Sequence, residues 1–380
     1  MNSRRIDLLD SFRFLAILGV LLYHFTFEWK DSCPYGDYFG SLFRYGYLGV
    51  QFFFVISGFV ISYTLEGTDT LSSFWKNRFI RLFPPLLACT ILTFGVAGIL
   101  DRHFLFPNAH KAINFLPTFT LTNPSLWTSL THTHFGWING SYWSLWVEIQ
   151  FYLLASVCYF WNKERFFRNI LVITILLSII KYIPPYLLHG GSWGPFSPGM
   201  TDLLSGWGFI NAAFNIDYYI LWFALGIIFY HLYKFQHLYK GVRIRSRPLT
   251  MIGSLIVLYQ LYEDRLYAEI IPTIRIFQLI VVTLFLFLIY KKKVLSFLDN
   301  AVFKRIGVIS YSMYLIHEVI GVLLINRYGV YLGRWAPVSL LIVIFLVIIF
   351  AELSYRFYER KTALFLKKVL YRSRTISAAP

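Results

Sequence analysis

The stretch Ile6–Phe25, IDLLDSFRFLAILGVLLYHF, decides the fold class, because it is apolar enough to enter a membrane yet carries Asp10, Arg13 and His24. An ionisable residue inside a spanning helix costs roughly 2.5–3.5 kcal/mol on insertion scales, and it is kept mainly where it faces a bundle interior or a watery cavity. The stretch therefore predicts a membrane helix with a functional face.

The spacing of these residues puts them on one side of that helix. Arg13 and His24 are separated by roughly three helical turns, so their side chains share a face about 16 Å apart along the axis. Asp10 lies one turn before Arg13. An anchor helix whose arginine snorkels to the membrane surface would explain Asp10 and Arg13, but it leaves His24 unexplained.

The composition extends this interpretation to the whole chain. Of 380 residues, 57% are hydrophobic and only 14% are charged, whereas soluble domains have about 25% charged residues. We expect an all-α, polytopic transmembrane helix bundle. Apolar segments of about 20 residues, enough to span a bilayer, predict about ten spans: 8–29, 46–65, 83–100, 141–161, 169–188, 217–233, 250–267, 272–290, 306–326 and 336–357.

The positive charges predict the orientation. With the N-terminus in the cytoplasm, the cytoplasmic segments hold 25 of the 35 Lys and Arg residues, as the positive-inside rule requires. Both termini are then cytoplasmic. The net charge of +16 is explained by orientation and by attraction to anionic lipid, so no nucleic-acid partner is expected. We assign residues 1–371 to one membrane domain and predict that the tail 372–380 is short, cytoplasmic and disordered.

Two further predicted spans carry polar stripes. Ser144, Glu148 and Tyr152 follow one another at intervals of four residues, and Ser310, Tyr314 and His317 form a similar stripe in the ninth span. Because Glu148 and His24 are predicted at similar depths, a carboxylate and an imidazole would meet inside the bundle. Trp143 at the start of the first stripe has an alternative role as an interface anchor.

Other residues outside these stripes were considered for binding or catalysis. Arg78 and Arg81 lie one turn apart with Lys76 nearby, a pattern that suits phosphate binding or simple positive-inside anchoring. Pro84 and Pro85 are expected at the start of the next helix. We interpret Ser57 as a packing residue bonded to its own helix. No metal is expected, because His132 and His134 lack a third ligand at a standard spacing.

Five motifs follow one another along nearly the whole chain: Arg13 with ten residues before His24; GVQFFFVISGF from Gly49; Phe74-x-x-x-Arg78-x-x-Arg81-Leu82-x-Pro84; Trp143-Ser-Leu-x-x-Glu148-x-x-Phe-Tyr152; and Ser310-Tyr-x-x-Tyr314-Leu-x-His317. Together they resemble the acyltransferase-3 family of integral membrane acyltransferases. Two positions depart from the family pattern: Ser11 and Phe12 replace its usual Gly-Leu, and Lys361 replaces a frequent proline.

The resemblance implies transfer of an acyl group, commonly acetyl from acetyl-CoA, to a hydroxyl that is usually on a sugar. The expected acceptor is a surface polysaccharide such as lipopolysaccharide, or a lipid-linked glycan, and the expected location is a bacterial inner membrane. The sequence does not identify the acceptor, the acyl length or the oligomeric state. The alternative function is a proton-coupled transporter that uses the buried His, Glu and Arg residues.

We assign roles to the motif residues as hypotheses. Arg78, Arg81 and Lys76 would hold the CoA phosphates, and the thioester would pass Arg13. His24 would act as general base or acyl-carrying nucleophile, with Glu148 orienting it. Tyr314 and His317 would donate hydrogen bonds to the oxyanion. The candidates for substrate binding are Trp143, Ser144, Tyr152 and Asp10.

Overall fold

The computed structural model describes residues 6–180, 214–237, 248–262 and 270–371, and all its regular elements are helical. The predicted tail 372–380 and the ends of the predicted spans 169–188 and 250–267 lie outside these ranges. In chain order the α-helices are α1 Leu8–Tyr23, α2 Gly49–Glu66, α3 Leu71–Leu100, α4 Phe115–Thr120, α5 Pro124–Thr131, α6 Trp143–Trp161, α7 Phe166–Ile180, α8 Ile220–His237, α9 Pro248–Tyr262, α10 Ile271–Tyr290, α11 Ala301–Ile316, α12 Val322–Tyr328, α13 Val338–Ser354 and α14 Arg360–Tyr371.

Six helical stretches within the described ranges are long and apolar enough to cross a membrane. They confirm the prediction of a helical, integral membrane protein. The count of about ten spans and the cytoplasmic placement of both termini remain predictions. The six stretches are Leu8–Glu28, Gly46–Glu66, Leu71–Leu100, Ile271–Tyr290, Ala301–Trp335 and Val338–Tyr371.

The third of these helices corrects a prediction about Pro84 and Pro85. Both prolines lie inside α3, which already begins at Leu71, and not at the start of a helix. Proline removes a helical hydrogen bond, but contacts with α14 hold the preceding turns in place. Lys76 Nζ donates to the Leu370 carbonyl at 2.9 Å, and the Tyr371 hydroxyl donates to the Asn77 side chain at 2.9 Å.

The chain divides by its internal contacts into two compact units. Of the described residues, those within 51–67 and 145–297 form the first unit, and those within 6–50, 68–144 and 298–371 form the second. The boundaries fall inside α2 and α6, so each of these helices contributes its first residues to the second unit and the rest to the first.

The core of the second unit is the pair α1 and α11, which run side by side in the same direction. Gly307 allows their closest approach, because a Cβ there would lie 1.7 Å from the Asp10 carbonyl oxygen. Phe14 stacks on Phe303 with ring centroids 4.4 Å apart. The parallel arrangement brings the carboxyl ends of both helices to the same end of this unit.

In the first unit, α2 and α8 cross at a reciprocal pair of glycines. A Cβ on Gly58 would lie 2.1 Å from the Phe223 carbonyl oxygen, and one on Gly226 would lie 2.0 Å from the Val55 carbonyl oxygen. Small residues allow such close backbone approach between membrane helices. Phe223 also stacks on Phe151 of α6, with centroids 4.1 Å apart. Ser57 and α6 are therefore held at fixed positions in this unit.

Candidate active site

The second unit brings two histidines together through two irregular turns. α1 is followed directly by the π-helical turn His24–Glu28, and α11 is followed by the π-helical turn His317–Gly321. Such π-helical turns are rare in proteins overall, and those that occur are often found at functional sites. They pack on each other through Phe25, whose ring fills the space where a Cβ of Gly321 would stand. Each turn begins with a histidine, and the two imidazoles therefore meet.

The hydrogen bonds assign the tautomers of both rings. His317 Nδ1 lies 2.7 Å from the Tyr314 carbonyl oxygen, and His24 Nδ1 lies 2.9 Å from the Val20 carbonyl oxygen. A carbonyl only accepts, so each Nδ1 carries a hydrogen. His317 Nε2 then presents a lone pair to His24 Nδ1 at 3.3 Å. In neutral His24 the remaining nitrogen, Nε2, is therefore the basic one.

The burial of the two rings differs. His317 is fully buried, whereas His24 is half-buried. The rings meet edge to face, with centroids 4.8 Å apart. His317 is thus enclosed by the protein, whereas part of the His24 side chain remains exposed, and the predicted donation from His317 to an oxyanion remains a prediction.

Tyr314 and Ser144 form a buried hydroxyl pair next to His317. Their oxygens are 2.7 Å apart, and the Tyr314 hydroxyl donates to the Ser141 carbonyl at 2.8 Å. The hydroxyl hydrogen of Tyr314 is therefore already used in a hydrogen bond inside the protein. This geometry favours a role for Tyr314 in fixing the 3-10 turn Gly140–Tyr142 against α11, and the predicted donation to an oxyanion remains a prediction.

Sequence reasoning missed Glu318 and Ser141, which join the same turn to the second histidine. The buried Glu318 carboxylate accepts the Ser141 N–H at 2.7 Å and the Ser141 hydroxyl at 2.6 Å. Asn139 and Tyr142 both donate to the Leu315 carbonyl, each at 3.0 Å. Glu318 follows His317 directly, which was an available signal, but its partner is 177 residues away in sequence.

Asp10 and Arg13 form an ion pair at the other end of α1. Arg13 donates to the Asp10 carboxylate at 2.6 Å, and Asp10 itself is 3% exposed. Ser11, one of the departures from the family pattern, donates to the Leu298 carbonyl at 2.7 Å and so ties α1 to the segment before α11. Asp10 is thus paired inside the protein, and its predicted contact with substrate stays a prediction.

The basic residues of α3 have three different environments. Arg78 is buried beside the Phe74 ring, Arg81 is exposed, and Lys76 contacts the carboxyl end of α14. They therefore do not share one solvent-facing surface, although Arg78 and Arg81 lie one turn apart as predicted. Their role in binding CoA remains a prediction.

Glu148 lies in the first unit, where two hydroxyls hold its carboxylate. Ser57 donates to Glu148 Oε1 at 2.7 Å, and Tyr152 donates to the same oxygen at 2.5 Å. The prediction that Ser57 bonds to its own helix is wrong, because α2 and α6 pack closely enough for its hydroxyl to reach the carboxylate. Trp143 is half-buried at the first residue of α6. The predicted meeting of Glu148 with His24 remains a prediction.

Two further observations concern charged and metal-binding residues. Glu352 pairs with Arg356, four residues later in the chain, and it also accepts two hydrogen bonds from Arg305 at 2.7 Å. Within the described ranges, no three His, Cys, Asp or Glu side chains are grouped so that they could hold a metal ion.

Comparison with known proteins decides the family. An acyltransferase domain family, Acyl_transf_3, matches residues 6–355. This chain belongs to the acyltransferase-3 family. The match includes every motif residue described above, so the resemblance in the sequence is confirmed for the chain from α1 to α13.

Relatives of this acyltransferase-3 protein include O-acetyltransferase OatA of Staphylococcus aureus strain NCTC 8325, which is 27% identical over 390 residues. A putative O-acetyltransferase of S. aureus strain COL is also 27% identical, over 391 residues. Each alignment covers 94% of this chain but only 57% of the relative. The chain thus spans little more than half the length of these relatives. No solved structure matches it.

Proposed function

We propose that this acyltransferase-3 protein is a membrane O-acyltransferase that moves an acetyl group from acetyl-CoA to a hydroxyl of a carbohydrate, with His24 as the general base. The observation that carries the proposal is the contact between His24 and His317. A half-buried imidazole with an available basic Nε2 is suited to general-base catalysis. Two S. aureus relatives named as O-acetyltransferases support the choice of acyl group.

The proposed reaction needs one proton carrier. The acceptor oxygen attacks the thioester carbonyl while His24 Nε2 takes the hydroxyl proton. A C–O bond forms and the C–S bond breaks. The proton then passes from His24 to the CoA thiolate, so the products are the acyl ester and CoA-SH.

His317 would stabilise the cationic form of His24 during this cycle. The Nδ1–H of His24 faces two acceptors, the Val20 carbonyl and His317 Nε2. A hydrogen bond to the charged form of a group favours that form. His317 would thus take the orienting role that a carboxylate has in a catalytic triad. Glu148, clamped by Ser57 and Tyr152, is proposed as a second polar group of the reaction.

The proposed donor site lies along α3. Arg81 is exposed and Arg78 is fixed by its burial next to Phe74, so Arg81 would meet the CoA phosphates first. Guanidinium groups bind phosphate through paired hydrogen bonds. The ion pair of Arg13 with Asp10 would border the path of the thioester. The proposed setting is a bacterial inner membrane with the donor on the cytoplasmic side.

The test is transfer of label from [14C]acetyl-CoA to extracted cell-envelope glycan by the purified protein in lipid nanodiscs. We expect transfer by wild type and a loss of 100-fold or more with His24→Ala, within the roughly 10²–10⁴-fold range of general acid–base catalysis. His134→Ala is the matched control, because His134 is exposed. Full activity of His24→Ala would refute the role of His24, and the absence of acyl transfer by wild type would favour the transporter alternative.

A further inference from the structure

A cluster of aromatic side chains centred on Tyr23 lies directly beside His24. The ring of Tyr23 lies edge-on to His24 at a centroid distance of 5.1 Å and edge-on to Tyr47 at 5.4 Å. It stacks on Phe27 at 6.0 Å. These three aromatic side chains are half-buried, so part of each ring remains accessible.

Two charged side chains border these rings. The exposed Glu28 carboxylate accepts a hydrogen bond from the Tyr23 hydroxyl at 2.5 Å. The exposed Arg44 guanidinium lies over the Phe27 ring at 5.9 Å. One anion and one cation thus stand at the edge of the aromatic surface. We call Tyr23, Phe27, Glu28, Arg44 and Tyr47 together the Tyr23 platform.

The backbone builds this platform from two separate segments. The π-helical turn His24–Glu28 carries Phe27 and Glu28 immediately after the histidine. Gly46 lets the segment with Arg44 and Tyr47 approach α1, because a Cβ at Gly46 would lie 2.2 Å from the Gly19 carbonyl oxygen and 3.0 Å from Tyr23 Cβ. The rings are therefore positioned by close backbone packing, as a preformed binding surface requires.

We propose that the Tyr23 platform binds the acceptor as a neutral sugar ring, presenting one of its hydroxyls to His24. A sugar has an apolar C–H face, which suits an aromatic surface, and a rim of hydroxyls that donate to a carboxylate and accept from a guanidinium. An acyl chain has no polar group to pair with the Glu28 carboxylate or the Arg44 guanidinium. A phosphate would be repelled by Glu28. This inference rests on the proposed function and adds the position at which the sugar acceptor binds.

The test separates acceptor binding from the chemistry of the donor. Wild-type protein and the variants Tyr23→Phe and Glu28→Gln are placed in nanodiscs with [14C]acetyl-CoA, with extracted cell-envelope glycan as the acceptor. Transfer to glycan and the slow hydrolysis of acetyl-CoA without glycan are both measured. For Glu28→Gln we expect the KM for glycan to rise about tenfold, the usual effect of losing one hydrogen bond to a charged group. Tyr23→Phe removes the hydrogen bond that positions the Glu28 carboxylate, so we expect a similar rise. The KM for acetyl-CoA and the hydrolysis rate should stay unchanged in both variants.

The controls are Tyr38→Phe and Asp37→Asn, which make the same chemical changes on exposed residues outside the platform. A wild-type KM for glycan in both platform variants would overturn the inference while leaving the proposed function intact. A raised KM for acetyl-CoA would place the donor on the platform and would also overturn it. If wild type transfers no acyl group, the proposed function fails first, and the inference fails with it.

Discussion

His317 is proposed to act through His24 and not on the substrate itself. It is fully buried, and its Nε2 accepts from His24. We expect His317→Gln to lower kcat by about 10- to 100-fold, below the full effect of a lost general base, while the KM for acetyl-CoA changes less than twofold. Label transfer measured against acetyl-CoA concentration separates the two constants, and a melting curve checks folding. An unchanged kcat in a folded variant would exclude the proposed stabilisation of His24.

The hydrogen-bond partner of Ser57 was predicted wrongly from the sequence. Its hydrogen bond to Glu148 predicts that Ser57→Ala lowers activity about tenfold, near the lower end of the effect of losing one hydrogen bond to a charged group. In a Glu148→Gln background the same change should cost less than twofold, because the charged partner is already gone. Such non-additivity marks two residues that act together.

Ser62→Ala is the matched control for this cycle. Ser62 lies on the same helix, is also buried, and donates to its own helix at the Gly58 carbonyl, 2.9 Å away. It should leave activity unchanged in both backgrounds. If Ser57→Ala and Glu148→Gln simply add, the hydrogen bond between them has no part in the reaction.

The pairing of α1 with α11 depends on one glycine, and this predicts an effect of helix packing on the site. Gly307→Ala would force the Asp10 backbone away, so α1 and α11 must separate. Overpacking of this kind costs about 1–3 kcal/mol. We expect a lower melting temperature and a larger relative loss of acyl transfer, because the two histidines stand at the ends of these helices.

Gly95→Ala supplies the comparison, since a Cβ at Gly95 in α3 meets no atom within 4 Å. Alanine is preferred over glycine inside a helix by roughly 0.5–1 kcal/mol. This variant should therefore melt at the same or a higher temperature and retain activity. If Gly307→Ala and Gly95→Ala had the same melting temperature and activity, α1 and α11 would be able to separate without loss of stability.

The predicted orientation of the chain can be tested through cysteine chemistry. Cys33, Cys89 and Cys158 are buried and free, and burial raises the pKa of the Cys33 thiol to about 11. Little reactive thiolate is then present at pH 7.5, and the background will increase as the pH rises. We expect a membrane-impermeant maleimide to label Tyr38→Cys in intact cells, since Tyr38 is 71% exposed in the predicted outer loop. Labelling that requires permeabilised cells would reverse the orientation.

Hydrophobic segments and motifs in the sequence alone determined the helical membrane class, the family, and His24 and His317 as site candidates. These signals are local: apolar length predicts a spanning helix, and helical periodicity puts polar residues on one face. The start of α3 was predicted wrongly, because prolines such as Pro84 and Pro85 are common in the first turn of a helix. The contacts with α14 that hold the residues before Pro84 in the same helix cannot be read from the sequence.

Only the tertiary structure decided which side chains touch. His24 and His317 are 293 residues apart, and Ser57 and Glu148 are 91 apart. Their contacts depend on glycines that let particular helices approach and on the π-helical turns that end two of them. The tautomers of both histidines follow from the carbonyl oxygens of Val20 and Tyr314, which lie in the last turns of α1 and α11. Periodicity along one helix carries no information about which neighbour it meets, so packing between helices had to supply these contacts.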